Sequence, residues 1–385
     1  MNLIEQARLA KKASSSLRML DSETRNRVLL TFADLLIRNS DEVITANRED
    51  LTEAEKSGMS TAMLDRLMLN EARIEAMAEG IRQVASLEDP LGKVLEDRVI
   101  PSGIRLKKIT VPIGVIGIIF ESRPNVTADC AALCFKSGNA CVLKGGKESY
   151  RSCKAIVDAM KEALKSCGVS EDAVMLAERP SHSETAEFMK CREYVDLLIP
   201  RGGRNLIRAV VENAEVPAIE TGAGVCHVYV DAAADLKMAE EIVINAKCSR
   251  PSVCNAMETL LVHEAAAKAF VPQMVSLLKE KGVIIYSDEK ARALCEGLKE
   301  AEEASWSTEY DDLIMNLKIV SSVQEAAEHI ETYGTHHSEA IISEDDESVR
   351  YFMESIDSAC LYHNASTRFT DGFEFGLGAE IGIST

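Results

Sequence analysis

The octapeptide Ser249-Arg250-Pro251-Ser252-Val253-Cys254-Asn255-Ala256 holds the residue types best suited to covalent chemistry. It lies between a helical pattern ending near Ala246 and an apolar run from Thr259 to Val262, which places Cys254 at the mouth of a sheet. A cysteine attacks as its thiolate, and the positive charge of Arg250 favours that form. Backbone N–H groups around such a turn face a bound acyl oxygen. The other reading of one cysteine is a small buried apolar residue.

Two further stretches carry the means to hold phosphate. Lys144-Gly145-Gly146-Lys147 and Arg201-Gly202-Gly203-Arg204 each set a glycine pair among cations, after an apolar run and before a helical one. Glycine lets backbone amides come close to a phosphate, and a helix N-terminus adds a favourable field. Neither stretch is a G-x-G-x-x-G fingerprint, and each alone is equally an ordinary tight turn. Glu220 ends a short run before Thr221-Gly222-Ala223-Gly224, where it either points into a cleft or stays solvated. The tail from His363 to Glu380 is polar, Gly-rich and aromatic, the composition of a loop that closes over a site.

The elements that position these groups follow from pattern. The chain has 385 residues, enough for two or three domains. Its charge of −19 excludes general nucleic-acid binding, so an anionic ligand needs a local cluster of cations. No apolar run reaches the length of a membrane span, and residues 1–20 lack the apolar core of a signal peptide. The eleven cysteines include no Cys-x-x-Cys and no zinc-spaced cluster, so free thiols, a cytoplasmic location and no metal are expected. Cys130 and Cys134 share one helix face and read as core.

Residues 1–90 read as helices, one carrying Val28, Leu29, Phe32, Leu35 and Leu36, a second from Ser40 to Gly58, a third from Asn70 to before Pro90. Near-alternation about Pro101-Ser102-Gly103 predicts a hairpin over 94–111, either an arm for oligomer contacts or a surface hairpin. From Val115 onward strands alternate with helices, which predicts an α/β, doubly wound architecture with ligands at the carboxyl ends of the strands. Residues 1–225 form the expected cofactor-binding domain and 226–355 the catalytic domain with Cys254. Residues 356–385 form a return segment and substrate loop, with Cys360 to His363 leading back to the first domain.

With these stretches in view, the chain resembles the aldehyde dehydrogenase superfamily, within it the branch that reduces an acyl phosphate. The resemblance covers nearly the whole chain. Its marks are Phe120 to Thr127, Leu143 to Glu148, Ile199 to Gly203, Ile219 to Gly222, Ser249 to Ala256 and Asn364 to Asp371. It implies an aldehyde dehydrogenase-like fold, with a doubly wound cofactor domain, an α/β catalytic domain and a β-arm for oligomerisation. It implies Cys254 as the catalytic thiol and Asn125 as the amide that holds the oxyanion. Lys144, Gly145, Lys147, Arg201, Gly202 and Gly203 then lie at an NADPH/NADP site, and Glu309 holds the nicotinamide ribose. Glu220 matches the glutamate that activates water in hydrolytic members, and here serves positioning or base chemistry. Arg123, Arg250, Asn364, Ser366 and Arg368 are the implied substrate-binding residues.

The implied reaction is NADPH-dependent reduction of L-glutamyl 5-phosphate to L-glutamate 5-semialdehyde through a Cys254 thioester, the second step of proline biosynthesis. Glutamate 5-kinase supplies the substrate, and a homo-oligomer, dimer or tetramer, is expected. The alternatives are a hydrolytic or CoA-acylating aldehyde dehydrogenase and a catalytically inert scaffold. The chain ends at Ile381-Gly382-Ile383-Ser384-Thr385, where the family pattern continues into a segment that often helps build an interprotomer sheet. Oligomeric state and full activity are therefore expected to depend on that end.

Overall fold

The computed structural model of the protein describes residues 1–385, apart from the side chains of Thr61, Ala62 and Arg204. It divides into two units, Met1–Thr221 and Gly222–Thr385.

Apolar residues at helical spacing build the start of the first unit as α1 (Leu3–Leu17), α2 (Ser22–Arg38), α3 (Ser40–Lys56), α4 (Thr61–Leu67) and α5 (Glu71–Ser86). The predicted stripe Val28, Leu29, Phe32, Leu35 and Leu36 is buried on α2, whose N-terminus is capped by Asp21 accepting from the Thr24 N–H at 2.8 Å. The hairpin forms as β1 (Val94–Val99) and β2 (Arg105–Ile109), antiparallel, with Val99 opposite Arg105. Its apolar side chains are exposed, Val99 by 68% and Ile104 by 61%, so it buries almost nothing within its own unit.

The α/β part of this unit runs β3 (Val115–Phe120), α6 (Asn125–Lys136), β4 (Ala140–Lys144), α7 (Tyr150–Ser166), β5 (Val174–Leu176), α8 (His182–Lys190), β6 (Leu197–Arg201) and α9 (Arg204–Asn213). The strands form a parallel sheet of order β5-β4-β3-β6. Every residue of the central β3 is buried, as its unbroken apolar run requires. Cys130 and Cys134 are buried on α6.

The second unit runs β7 (Cys226–Val230), α10 (Leu236–Cys248), β8 (Met257–His263), α11 (Glu264–Glu280), β9 (Ile284–Ser287), α12 (Glu289–Leu294), β10 (Lys299–Glu300), β11 (Ile314–Val320), α13 (Val323–Tyr333), β12 (Ser338–Ile342), α14 (Asp346–Ser355) and β13 (Cys360–His363). Its parallel sheet has the order β10-β9-β11-β8-β7-β12-β13. Side chains alternate between two cores. Val228, Val230, Leu260 and Val262 join α10 and α11, whereas Tyr229, Leu261 and Ile341 join α13 and α14. The sheet is covered on both faces.

Two expectations change. Cys360–His363 does not lead back to the first unit; it pairs in parallel with β12, so residues 356–385 belong to the second unit. Residues 222–225 go with the second unit also. α12 stops at Leu294, because Cys295 is extended at φ −140°. No helix among the described residues is long and apolar enough to cross a membrane.

Candidate active site

In the second unit Cys254 lies half-buried on the turn between α10 and β8. The Ala256 N–H donates to the Val253 carbonyl at 3.0 Å, which curls the turn around the thiol. The Cys254 carbonyl accepts from the Cys226 thiol at 3.2 Å. Gly224 packs directly beneath: a Cβ built there would stand 1.5 Å from the Cys254 carbonyl oxygen, so only glycine fits. The Gly224 N–H in turn donates to Glu309 Oε1 at 2.8 Å. Glu309, expected at a cofactor ribose, thus braces the backbone that supports Cys254.

The tail seals this turn through Asn255. Asn255 Nδ2 donates to the Thr370 carbonyl at 2.8 Å, Thr367 Oγ1 donates to the Asn255 carbonyl at 2.7 Å, and the Arg368 guanidinium donates to Asn255 Oδ1. Arg368 Nε also reaches Ser249 Oγ at 3.3 Å. Burial, then the like charge of Arg250, pulls Arg368 below its usual value, while Asp371, Cys254 and Glu374 pull it back. Arg250, Arg368 and Cys254 therefore share one electrostatic neighbourhood with Asp371 and Glu374, and a thiolate there has two guanidinium groups to favour it. Ser366 and Asn364 act on the backbone. Ser366 Oγ accepts from the Arg368 N–H at 3.2 Å. Asn364, at φ +52°, accepts from the Ser343 N–H at 3.1 Å and donates to Glu344 at 3.1 Å, fixing the exit of β13.

Below this turn lies a buried ion pair that the sequence reading passed over. Lys247 Nζ, in the last turn of α10, donates to Glu258 Oε2, near the start of β8, at 2.9 Å. Both are fully buried, and together they close the base of the Cys254 turn.

In the first unit the strand ends gather the other expected residues. β3 pairs with β4 and β6, so Ile119 aligns with Lys144 and Phe120 with Arg201. Lys144, Gly145 and Lys147 thus flank the end of β3 on one side, and Arg201, Gly202 and Gly203 on the other. Arg204, named with the second turn, has its side chain outside the described residues. Two carboxylates not considered in the sequence tie these ends together. Glu121 Oε2 accepts from the Gly203 N–H at 2.8 Å, and a Cβ on Gly202 would stand 2.5 Å from that oxygen. Glu148 Oε1 accepts from the Ser122 N–H at 3.0 Å and from the Ser122 hydroxyl. That holds Ser122 in a left-handed conformation, φ +34°, rare for a residue with a side chain. The Gly203 N–H expected to meet a phosphate thus faces Glu121. Burial lowers Lys144 below its usual value, and Glu148 and Glu121 oppose that.

Asn125 begins α6, and its Nδ2 donates to Asp129 Oδ2, one turn along, at 3.2 Å. Burial raises Asp129 to about 6, against the pull of Asn125 and then Arg201. Arg123 is exposed in the turn before α6, and Glu220 is exposed beyond the bridge between Leu198 and Ala218. Among the described residues no group of His, Cys, Asp or Glu is arranged to hold a metal.

Comparison with known proteins adds the family context. A family model described as "Aldehyde dehydrogenase family" matches residues 2–290. The chain is 49% identical over 385 residues to the gamma-glutamyl phosphate reductase of Caldanaerobacter subterraneus subsp. tengcongensis, a match spanning 100% of this chain and 93% of that protein. It is 53% identical over 379 residues to the protein of the same name from Carboxydothermus hydrogenoformans, spanning 98% and 91%. The crystal structure of gamma-glutamyl phosphate reductase from Thermotoga maritima matches with a TM-score of 0.97 at 45% identity, over 100% of this chain and 93% of that one.

Proposed function

The chain belongs to the aldehyde dehydrogenase family, and from that premise we propose that it reduces L-glutamyl 5-phosphate to L-glutamate 5-semialdehyde and phosphate. Its relatives' shared name supports the substrate. The observation that carries the chemistry is Cys254 on a turn braced by Gly224 and Asn255, in the neighbourhood of Arg250 and Arg368.

In this reading the Cys254 thiolate attacks the γ-carbonyl carbon. The carbon–oxygen bond to phosphate then breaks, phosphate departs with the electron pair, and a thioester remains. The Asn125 amide and the Cys254 N–H donate to the oxyanion of the tetrahedral stage. Arg250 and Arg368 hold the anionic ends of the substrate, because a guanidinium fork matches phosphate and carboxylate. Arg123, exposed on its turn before α6, offers a further guanidinium for the same kind of group. Asn364 and Ser366 shape the substrate loop by holding its backbone. Glu220, with no water to activate, serves positioning.

The strand-end residues suit a nicotinamide dinucleotide: three cations, Lys144, Lys147 and Arg201, stand beside Gly145, Gly202 and Gly203, where a backbone comes close to a ligand. Bound there, the cofactor would supply the hydride that reduces the thioester carbon; the carbon–sulfur bond then breaks, its electron pair returning to the Cys254 sulfur as the aldehyde leaves. We assign NADPH over NADH because Lys144 and Lys147 favour an added phosphate, while Glu121 and Glu148 are occupied by Gly203 and Ser122. The substrate then comes from a glutamate 5-kinase. The free cysteines support a reducing, cytoplasmic setting. The exposed apolar hairpin supports a homo-oligomer.

The test is the reaction run in reverse. Glutamate 5-semialdehyde should reduce NADP only when inorganic phosphate is present, and NAD should serve less well. Activity without phosphate would instead favour a hydrolytic dehydrogenase; transfer to coenzyme A, the acylating one. A folded protein without activity would favour the inert scaffold. Asn125→Ala is expected to lower kcat roughly 10²- to 10³-fold with a much smaller change in KM, since the amide acts on the developing oxyanion. Equal changes in both constants would remove Asn125 from that role.

A further inference from the structure

The proposed substrate is an amino acid, and none of the arginines above suits its α-ammonium group. A cation of that kind calls for a carboxylate that is near the reacting carbonyl and not already paired. Three acids stand around the start of α6. Glu121 is held by the Gly203 N–H and Glu148 by Ser122. The third, Asp129, forms no ion pair among the described residues, and its side-chain hydrogen bond is the one from Asn125. We propose that Asp129 receives the α-ammonium of the substrate, and so selects an amino acid over its desamino counterpart. The assignment rests on the function proposed above.

Three observations support it. Asp129 stands one turn from Asn125 on a single rigid helix, so the group at the carbonyl and the group at the ammonium keep a fixed spacing. An extended glutamyl chain sets its ammonium about 5 Å from the reacting carbonyl, a span that the Asn125 amide and the far oxygen of the Asp129 carboxylate bracket, their facing atoms being 3.2 Å apart. Asp129 is also half-buried and raised by that burial, with Arg201 exerting a weaker opposing pull than Asn125 does. A carboxylate so placed is costly until a cation meets it, and a bound ammonium supplies one. The hydrogen bond to Asn125 serves both ends. It turns the amide toward the carbonyl and leaves Asp129 free to accept from the ammonium through its other oxygen.

The competing role, orienting Asn125 alone, predicts a different pattern. The measurement is kcat/KM for phosphate-dependent NADP reduction, with glutamate 5-semialdehyde and with 5-oxopentanoate, which lacks the amine. Each substrate is compared between wild type and Asp129→Asn, so the fraction of semialdehyde present as cyclic imine cancels. The preference for the aminated substrate should fall about 10- to 100-fold in the variant, the worth of a hydrogen bond to a charged group. Equal losses on both substrates overturn the assignment and leave Asp129 as a positioning residue. Where turnover of the variant is too slow on both, equilibrium binding of L-glutamate against glutarate reads the same preference. A preference equal to that of the wild type then overturns it. The wild-type arm judges the reductase reading separately: no phosphate-dependent activity there sinks that reading, whatever the variant does.

Discussion

Cys254→Ala should lower phosphate-dependent turnover by roughly 10⁴-fold or more, because no other group takes over a lost nucleophile. The structure says why the loss is chemical. The turn is held by the Cys254 carbonyl, by packing on Gly224 and by the bonds from Asn255 to the tail, none of which uses the Cys254 thiol. Alanine keeps them all, so the variant should fold and bind cofactor like the wild type. Cys226 is close by, but it is fully buried on β7, and burial raises its thiol far above the usual range. It therefore holds its proton and does not substitute. The check pairs kcat with cofactor binding and thermal unfolding. Residual turnover within tenfold of wild type, in a folded variant, would move the nucleophile elsewhere.

The parts legible in the sequence were those whose physics is local. Val115–Phe120 is a continuous apolar run, and it is β3 to the residue. Pro101-Ser102-Gly103 announces the hairpin. α8 was missed although Ser181 and Glu184 stand at capping-box spacing, and that box forms. Cys254 and the cations near it could be singled out from residue type. What holds them was not. Asn255 meets Thr370, 115 residues away, and Glu121 meets Gly203, 82 residues away. Such pairs follow from sheet order, which no short window contains. Asp129 lies at helical spacing from Asn125 and could have been noted, but an isolated acid on a helix reads as a solvated face until its burial is known. Lys247 and Glu258 read as surface charges for the same reason.

That buried pair carries the second large expectation. Lys247→Met keeps most of the side-chain volume and removes the ammonium. Burial already pushes Glu258 up to about 8, with Lys247 the chief opposing pull and the Tyr310 backbone N–H a smaller one. Glu309 adds a push in the direction of burial. Without Lys247 the carboxylate has no counter-charge, so Glu258 keeps its proton further into alkaline solution. Its folded value lies above the unfolded one of about 4.3. Stability linked to that proton is complete below the unfolded value and is lost as pH rises through the folded one. In the wild type Lys247 offsets part of that loss, since the value of about 8 already includes its pull; in the variant nothing does. The deficit should therefore be small at about pH 6 and grow to about 3–5 kcal/mol above the folded value, near pH 9. Urea unfolding followed through Trp306 reads the second unit alone, since Trp306 is the chain's single tryptophan and lies buried there. Because the pair closes the base of the Cys254 turn, kcat should fall with stability. The double variant Lys247→Met, Glu258→Leu should recover most of both, as apolar replacement of a whole buried pair often does. A deficit largest in acid, or a double variant worse than the single one, would mean that the charges serve something other than holding the turn.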